Sequence, residues 1–524
     1  MACGPRRLAT FGLIAALALT GCTPGTPTPS PTSAGLVTPS GATQDAATRL
    51  VREGAPALPQ VIATATFATD HDYAGCELAF FSVTATDAST VVTWGPRCGD
   101  REPATIFTRE SPRQEPPALR VGDDTYKVTQ FQDITYSVAA TLRQNLSPWG
   151  GFQPEARPSS ALYAPLPAGT TSVEITSPAF TAPVTVPVTR PDAHAGGSTA
   201  IPILARATLQ GRSTGHGDTP ILASVHGIRR VPGATAVYYS LTTPDGGDQR
   251  ALGTLGFYGN NTTYSPNWMA LGFMENFANA SAAFDHDRDL ALGQLGRNGS
   301  GDYGVLASGY KAEWPLRDAT QPLVLVAYLP ELPASTHSID LLLGGRLILQ
   351  DLPVSDGAMT PVSSDQFPVL GTGWPTIPED MLTSLPAEES TNVTSPLTDI
   401  VTDGKITHAG QTLELNTEVL FDYNEATLTP AANGVINQAA TDITAAGSAG
   451  EITITGHTDD TGTDSYNLDL SERRARAVAD ALRPHLPAAI TMTVDGKGEA
   501  EPIYDNGTDT GKAANRRVTI TLPG

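Results

Sequence analysis

The chain has 524 residues, too many for one hydrophobic core and enough for about three domains at roughly 100–200 residues each. Acidic residues number 54 against 32 basic ones, for a net charge of −22. That balance excludes a nucleic-acid binder, whose phosphate contacts need clustered Lys and Arg, and it excludes electrostatic docking on anionic lipid.

Arg6-Arg7 precede an apolar stretch from Leu8 to Thr20. It is too short for a bilayer core, which needs about 20 residues, and reads as a secretory signal over residues 1–21. The run ends Leu19-Thr20-Gly21-Cys22, which resembles the bacterial lipobox, so Cys22 is expected to carry lipid and become the mature N-terminus. An ordinary cleaved signal with a chance cysteine is the alternative. No later apolar run approaches about 18 residues, so this lipid is the only membrane attachment expected. Its two acyl chains on one glyceryl group would suffice for stable anchoring. Cys3 leaves with the signal. Cys76 and Cys98 remain, and outside the cytoplasm a disulfide between them is the natural use, with two unpaired buried thiols as the alternative. No metal site is expected, because no further Cys and no His pair stands at ligand spacing.

Residues 22–48 form a Pro/Thr-rich tether, extended and disordered in expectation. Two β-sandwich-like domains are predicted next, at 49–190 and 196–354. They contain an internal resemblance. Leu166-Pro167-Ala168-Gly169-Thr170 through Val186-Pro187-Val188 aligns without a gap on Leu332-Pro333-Ala334-Ser335-Thr336 through Leu352-Pro353-Val354. Thr90-Val91-Val92-Thr93-Trp94 corresponds to Thr235-Ala236-Val237-Tyr238-Tyr239. Either one unit is duplicated or two unrelated β-rich domains stand in series. Neither holds a convincing site. Asp285-His286-Asp287-Arg288-Asp289 begins like a calcium loop, but Leu290 and Gly296 stand where an EF-hand needs Gly and Glu, so a solvated acidic turn is expected. Tyr258, Tyr264, Trp268, Phe273 and Phe277 are expected to pack in a core rather than line a ligand groove. A loose linker is predicted over 355–403.

From residue 404 the pattern changes. Glu418 to Phe421 reads as a strand, Pro430 to Ala446 as a helix, and Glu451 to Thr455 as a strand. Asp464 to Leu482 reads as a helix stopping near Pro484, and Ile490–Val494 and Arg517–Leu522 as strands. The sum is a βαβαβ α/β sandwich over 404–524. On a helical wheel, Arg474 falls inside the apolar arc made by Leu470, Ala477, Val478, Ala481 and Leu482, while Arg473 and Arg476 fall outside it. A buried guanidinium needs an anionic partner. The nearest candidate is Asp459, in the loop after the preceding strand, where α/β folds commonly bind ligands.

These residues resemble the OmpA C-terminal-like domain, the peptidoglycan-associated module shared with the Pal lipoproteins. The resemblance is carried by Phe421-Asp422, Gly456-His457-Thr458-Asp459, Asn467, Leu470-Ser471, Arg474-Ala475, Gly496 with Gly498-Glu499, and Asn515-Arg516-Arg517-Val518. It implies that Asp459 takes the ammonium and Arg474 the carboxylate of a diaminopimelate residue in uncrosslinked stem peptide. Asn467, Asn515 and Arg516 match other positions around that pocket. Asp495 departs from the family pattern and places a negative charge near the expected rim.

The expected protein is therefore a lipid-anchored, non-enzymatic component of the cell envelope, facing the wall, with no cofactor. Its partners are peptidoglycan, the membrane through the N-terminal lipid, and an envelope protein or glycan at the middle domains. His457 beside Asp459 is a conceivable acid/base pair, but no zinc ligand set or activated nucleophile accompanies it. The alternative is a wall-anchored receptor or enzyme with its activity in the middle β domains.

Overall fold

The computed structural model describes residues 56–57, 59–68, 75–97, 116–131, 158–191, 201–213, 217–242, 282–293, 295, 306–307, 323–343, 347–360, 374, 394–447 and 450–523. The signal, the tether, Cys22, Cys98 and the aromatic group from Tyr258 to Phe277 lie outside the described residues.

The first β unit contains β1 (Ala63–Thr66), β2 (Glu77–Ala85), β3 (Thr90–Arg97), β4 (Ala118–Val121), β5 (Asp124–Gln130), β6 (Ser159–Tyr163), β7 (Ser172–Thr176) and β8 (Val184–Pro187). The second contains β9 (Ala205–Ser213), β10 (Gly217–Val231), β11 (Ala234–Thr242), β12 (Ala282–Asp285), β13 (Leu290–Gly293), β14 (Leu306–Ala307), β15 (Leu323–Leu329), β16 (Ser338–Leu343) and β17 (Leu347–Asp356). Each unit closes over its own apolar cluster. Phe80, Trp94, Tyr163 and Ile175 lie in the first, and Val225, Tyr239, Leu325 and Leu341 in the second.

Strand pairing repeats between the units position by position. Thr90 opposes Tyr163 in β3–β6, and the corresponding Thr235 opposes Leu329 in β11–β15. Ser172 opposes Pro187, and Ser338 opposes Pro353. A parallel bridge joins Thr84 to Thr189, and its counterpart joins Arg229 to Ser355. Even the irregularities coincide. The β2–β3 register shifts between Phe80 and Ser82, and the β10–β11 register shifts between Val225 and Gly227. A one-residue slip would turn every core side chain outward, so shared register is a stringent likeness and supports duplication over unrelated neighbours.

The stretch expected as a linker is partly structured. β17 runs to Asp356. β18 (Thr394–Pro396) and β19 (Thr398–Thr402) follow near its end. β18 pairs with β13 of the second unit, and β19 pairs with β5, the corresponding strand of the first. Leu397, between them, joins Val91, Leu162, Phe284 and Leu342 in an apolar cluster shared by the two units. These strands are short and polar, with no apolar period for the sequence to reveal.

β19 also pairs with β20 (Ile406–Ala409), which enters the C-terminal sheet. That sheet continues through β21 (Thr412–Asn416), β24 (Arg517–Thr521), β22 (Gly450–His457) and β23 (Ile490–Gly498). β22 and β23 run parallel, joined by a helix, and β24 is antiparallel to both β21 and β22. The helices are α1 (Thr417–Leu420), α2 (Ala432–Ala445), α3 (Asp464–Leu482) and α4 (Asp509–Asn515). Ile436, Ala439, Ile443, Val478 and Leu482 from α2 and α3 pack on Leu415, Ile452, Ile454 and Ile520 of the sheet. The expected strand at Glu418–Phe421 is instead α1. The Asn416 side chain accepts from the Glu418 amide and starts a helical turn, and Phe421 keeps only a bridge to Leu428.

Candidate functional site

α3 starts where the Thr463 side chain accepts from the Tyr466 amide. Its buried face is Asn467, Leu470, Ser471, Arg474, Ala475, Val478, Ala479 and Leu482, recurring at three- and four-residue steps. Arg474 is 5% exposed, as the wheel requires. The helix lies very close to the sheet. A Cβ on Gly456 would run into the Ser471 carbonyl, and one on Gly496 would lie 2.7 Å from the Glu472 nitrogen. Glycine at both places lets α3 settle low enough to bring Arg474 beside the strand ends.

Arg474 donates from Nε to the Glu425 carbonyl at 2.9 Å, and its guanidinium lies 5.3 Å from the centre of the Phe421 ring. The turn carrying Glu425 has Asn424 at φ 61°, a conformation Asn tolerates better than most residues. Among the described residues no carboxylate lies within ion-pair distance of Arg474. Burial lowers its pKa, and the neighbouring Arg516 charge adds to the effect. The result is a desolvated cation whose terminal nitrogens have no hydrogen-bond partner among the described residues. Tyr466 and Tyr423, 41% and 78% exposed, stand on the adjoining helix start and turn.

Asp459 follows β22 and is 7% exposed. It does not pair with Arg474. Its Oδ2 accepts from Arg516 Nη1 at 2.6 Å, and its Oδ1 accepts from the Thr461 amide at 2.9 Å. Burial works against ionisation here, but the Arg516 bond and the Thr461 contacts outweigh it and hold the carboxyl below the ordinary range. A carboxylate has about four acceptor positions, so these two bonds leave room for an ammonium donor. Lys512 of α4 supports the same loop, pairing with Asp460 at 2.6 Å.

The remaining expected site residues divide. Arg516 bridges Asp459 and Glu418, one terminal nitrogen to each. Asn467 donates to the Asp459 carbonyl at 3.3 Å and to Glu499, tying α3 to the loops. Asn515 is a correction. Its Oδ1 accepts from the Ile503 and Tyr504 amides at 2.9 and 3.0 Å, and its Nδ2 donates to the Tyr504 carbonyl and Asn506 at 2.8 and 2.9 Å. All four of its hydrogen-bonding positions serve the 503–506 loop, leaving none for a ligand. Asp495, the departure from the family pattern, pairs with Lys497 at 3.1 Å.

His457 does not form an acid/base pair with Asp459. Its Nε2 lies 3.4 Å from Thr519 Oγ1, and its Nδ1 has no partner among the described residues. Burial, then the Arg517 and Lys497 charges, lower its pKa to about 4. A second candidate is a cavity of about 210 Å³ in the second β unit, lined by Pro202, Leu204, His226, Ile228, Arg229 and Met359. Its histidine is bound on both sides, to the Pro202 carbonyl at 2.9 Å and Ser240 Oγ at 2.7 Å. In the acidic turn of the same unit, Asp287, Arg288 and Asp289 are exposed, as expected, while the residue at its head is enclosed. Asp285 is fully buried and accepts from Arg288 at 2.6 Å and Thr336 at 3.0 Å. Among the described residues no group of three or more His, Cys, Asp or Glu side chains is placed to hold a metal.

Residues 420–516 match the OmpA family model. Over 109 residues the chain is 36% identical to the outer-membrane lipoprotein YfiB of Pseudomonas aeruginosa, covering 21% of this chain and 64% of that protein. Over 104 residues it is 38% identical to the peptidoglycan-binding protein ArfA of Mycobacterium tuberculosis, covering 20% of this chain and 32% of the relative. Among solved structures, the peptidoglycan-associated lipoprotein of Burkholderia pseudomallei aligns at 28% identity and TM-score 0.18, covering 20% of this chain and 88% of that one. The chain thus spans from about a third to just under two thirds of the length of the curated relatives it matches first.

Proposed function

We propose that this chain is a non-enzymatic, lipid-anchored envelope protein whose C-terminal domain binds peptidoglycan stem peptides at diaminopimelate. The observation that carries the reading is the pairing of two incomplete charges. Arg474 is a buried cation without a carboxylate among the described residues, and Asp459 is an ionised acid with acceptor positions to spare. A zwitterionic amino-acid centre supplies what each lacks. The planar guanidinium can hold its carboxylate by two parallel bonds, and the aspartate its ammonium.

In full-length protein, Asp459→Asn and Arg474→Lys should each abolish co-sedimentation with purified diaminopimelate-type peptidoglycan while leaving circular dichroism near wild type. Loss of one charge-assisted contact costs about 2–5 kcal/mol, roughly 30- to 4,000-fold in affinity. Binding that survives both changes would place the site elsewhere.

Lipidation of Cys22 is proposed on the lipobox that follows the apolar run. A Cys22→Ala protein should leave the membrane fraction, and tight retention would refute the anchor. The Cys76–Cys98 disulfide is supported by register. The β2–β3 ladder ends at Glu77 opposite Arg97, one residue short of each cysteine. Unreduced peptides should show the two linked by mass spectrometry, and alkylation of both as free thiols would refute the link.

A further inference from the structure

Glu418 belongs to none of the motifs that mark the site in the sequence. It lies in α1, and its amide is held by the Asn416 side chain at 2.9 Å. Its carboxylate pairs with Arg516 Nη2, while Nη1 of the same guanidinium holds Asp459 at 2.6 Å. The Glu418 side chain is 54% exposed and that of Asp459 10%, so Glu418 is the outer member of the triad.

The charge balance gives this arrangement a consequence. With Asp459 and Arg516 alone, the anion is cancelled by its own partner, and the pocket keeps the positive charge of Arg474. It would then favour a simple carboxylate. Glu418 supplies the second negative charge, so Asp459, Arg516, Glu418 and Arg474 sum to zero. Of the neighbouring charges, Arg473 pairs with Asp469 at 2.8 Å and Lys512 with Asp460 at 2.6 Å. Glu499 faces the amide of Asn467. Holding Arg516 from its outer side also fixes the direction of the fork toward Asp459.

We infer that Glu418 is a positioning and specificity-determining residue, which acts through Arg516 to keep Asp459 available to an ammonium group and so selects zwitterionic ligands over plain carboxylates. This rests on the function proposed above and adds a residue to it.

The test titrates the full-length protein with free meso-diaminopimelate and with pimelate, which has the same carbon chain and carboxylates but no amines. Wild type should prefer diaminopimelate. Glu418→Gln should weaken diaminopimelate binding by about tenfold and leave pimelate equal or tighter, so that the ratio of the two affinities falls. Glu418→Asp should restore part of the ratio. In an Arg516→Gln background the Glu418→Gln change should have no further effect, because the residue it acts through is gone. An unchanged ratio in Glu418→Gln, or an equal drop in both ligands, overturns the inference while leaving the Asp459–Arg474 site standing. Failure of wild type to bind diaminopimelate at all overturns the site itself, and the role of Glu418 with it.

Discussion

Asp340 and Arg474 are each almost fully buried, at 1% and 5% exposure, and each lies on an element that faces a hydrophobic core. Their surroundings differ in one respect. Asp340, on β16, accepts from the Asp351 amide at 2.8 Å, from His286 Nε2 at 3.0 Å and from Ser89 Oγ of the first β unit. Gln350 closes the far side of the group, donating to Ser89 Oγ at 2.8 Å. Every group there is answered by its own chain, across the contact between the two units. Arg474 has one carbonyl and the face of an aromatic ring, and no anion among the described residues. A closed cluster fixes the arrangement of the units. An open one is stable only at a cost that a ligand can offset, and this difference separates a structural charge from a binding charge.

Stability should divide the two sharply. Asp340→Asn removes the charge on which His286 and Ser89 converge and should destabilise the full-length protein by about 3–5 kcal/mol in denaturant melts, with peptidoglycan binding by the folded fraction unchanged. A change within about 0.5 kcal/mol would show that the inter-unit cluster is incidental.

Acid gives an intermediate effect, of opposite sign at the two sites. His457 has its pKa depressed to about 4 by burial first, so the folded C-terminal sheet resists a proton that the unfolded chain accepts at 6.5. Stability is full above the unfolded value and falls as pH drops toward 4, by about 3 kcal/mol at most. Burial also opposes protonation of His286, but the Asp340 bond and the surrounding acidic charges outweigh it and raise the pKa. Its contribution is present below 6.5 and is lost as pH rises through the folded value. Stability measured from pH 7 to 4 should therefore fall less steeply in His457→Gln and more steeply in His286→Gln. The same slope in both variants would contradict the assignment.

The smallest stability effect is expected at the open site. Arg474→Met keeps apolar bulk on the buried stripe, removes a desolvated charge, and should change stability by less than about 1 kcal/mol in either direction while abolishing wall binding. A loss above about 3 kcal/mol would make Arg474 a structural residue like Asp340.

Local signals were legible where they suffice to decide structure. The helix Asp464–Leu482 has its cap at Thr463, its period within, and Pro484 beyond its end, and it forms with those bounds. Arg474 could be singled out because its burial follows from the period of its own helix. Three features resisted because they depend on partners far along the chain or on a competing local cap. Glu418–Phe421 looks like a strand until Asn416 caps a turn there. Asp285 looks like a solvated acid until Thr336 and Arg288 enclose it. Asn515 matches the pocket by residue type, yet its carbonyl and amide meet the 503–506 loop. The Arg516–Glu418 contact joins the two ends of the C-terminal domain, and no spacing rule would bring them together.

The most direct measurement compares two walls. Full-length protein is titrated onto peptidoglycan with diaminopimelate in the stem and onto otherwise similar peptidoglycan with lysine in that position. Lysine keeps the side-chain ammonium and lacks the second carboxylate. The account predicts binding to the first wall and a loss of at least about 30-fold on the second, because Arg474 is then left buried and unanswered. Equal affinity for both would mean that the recognised group is not a zwitterionic centre, and the pairing of Asp459 with Arg474 as its two halves would have to be abandoned.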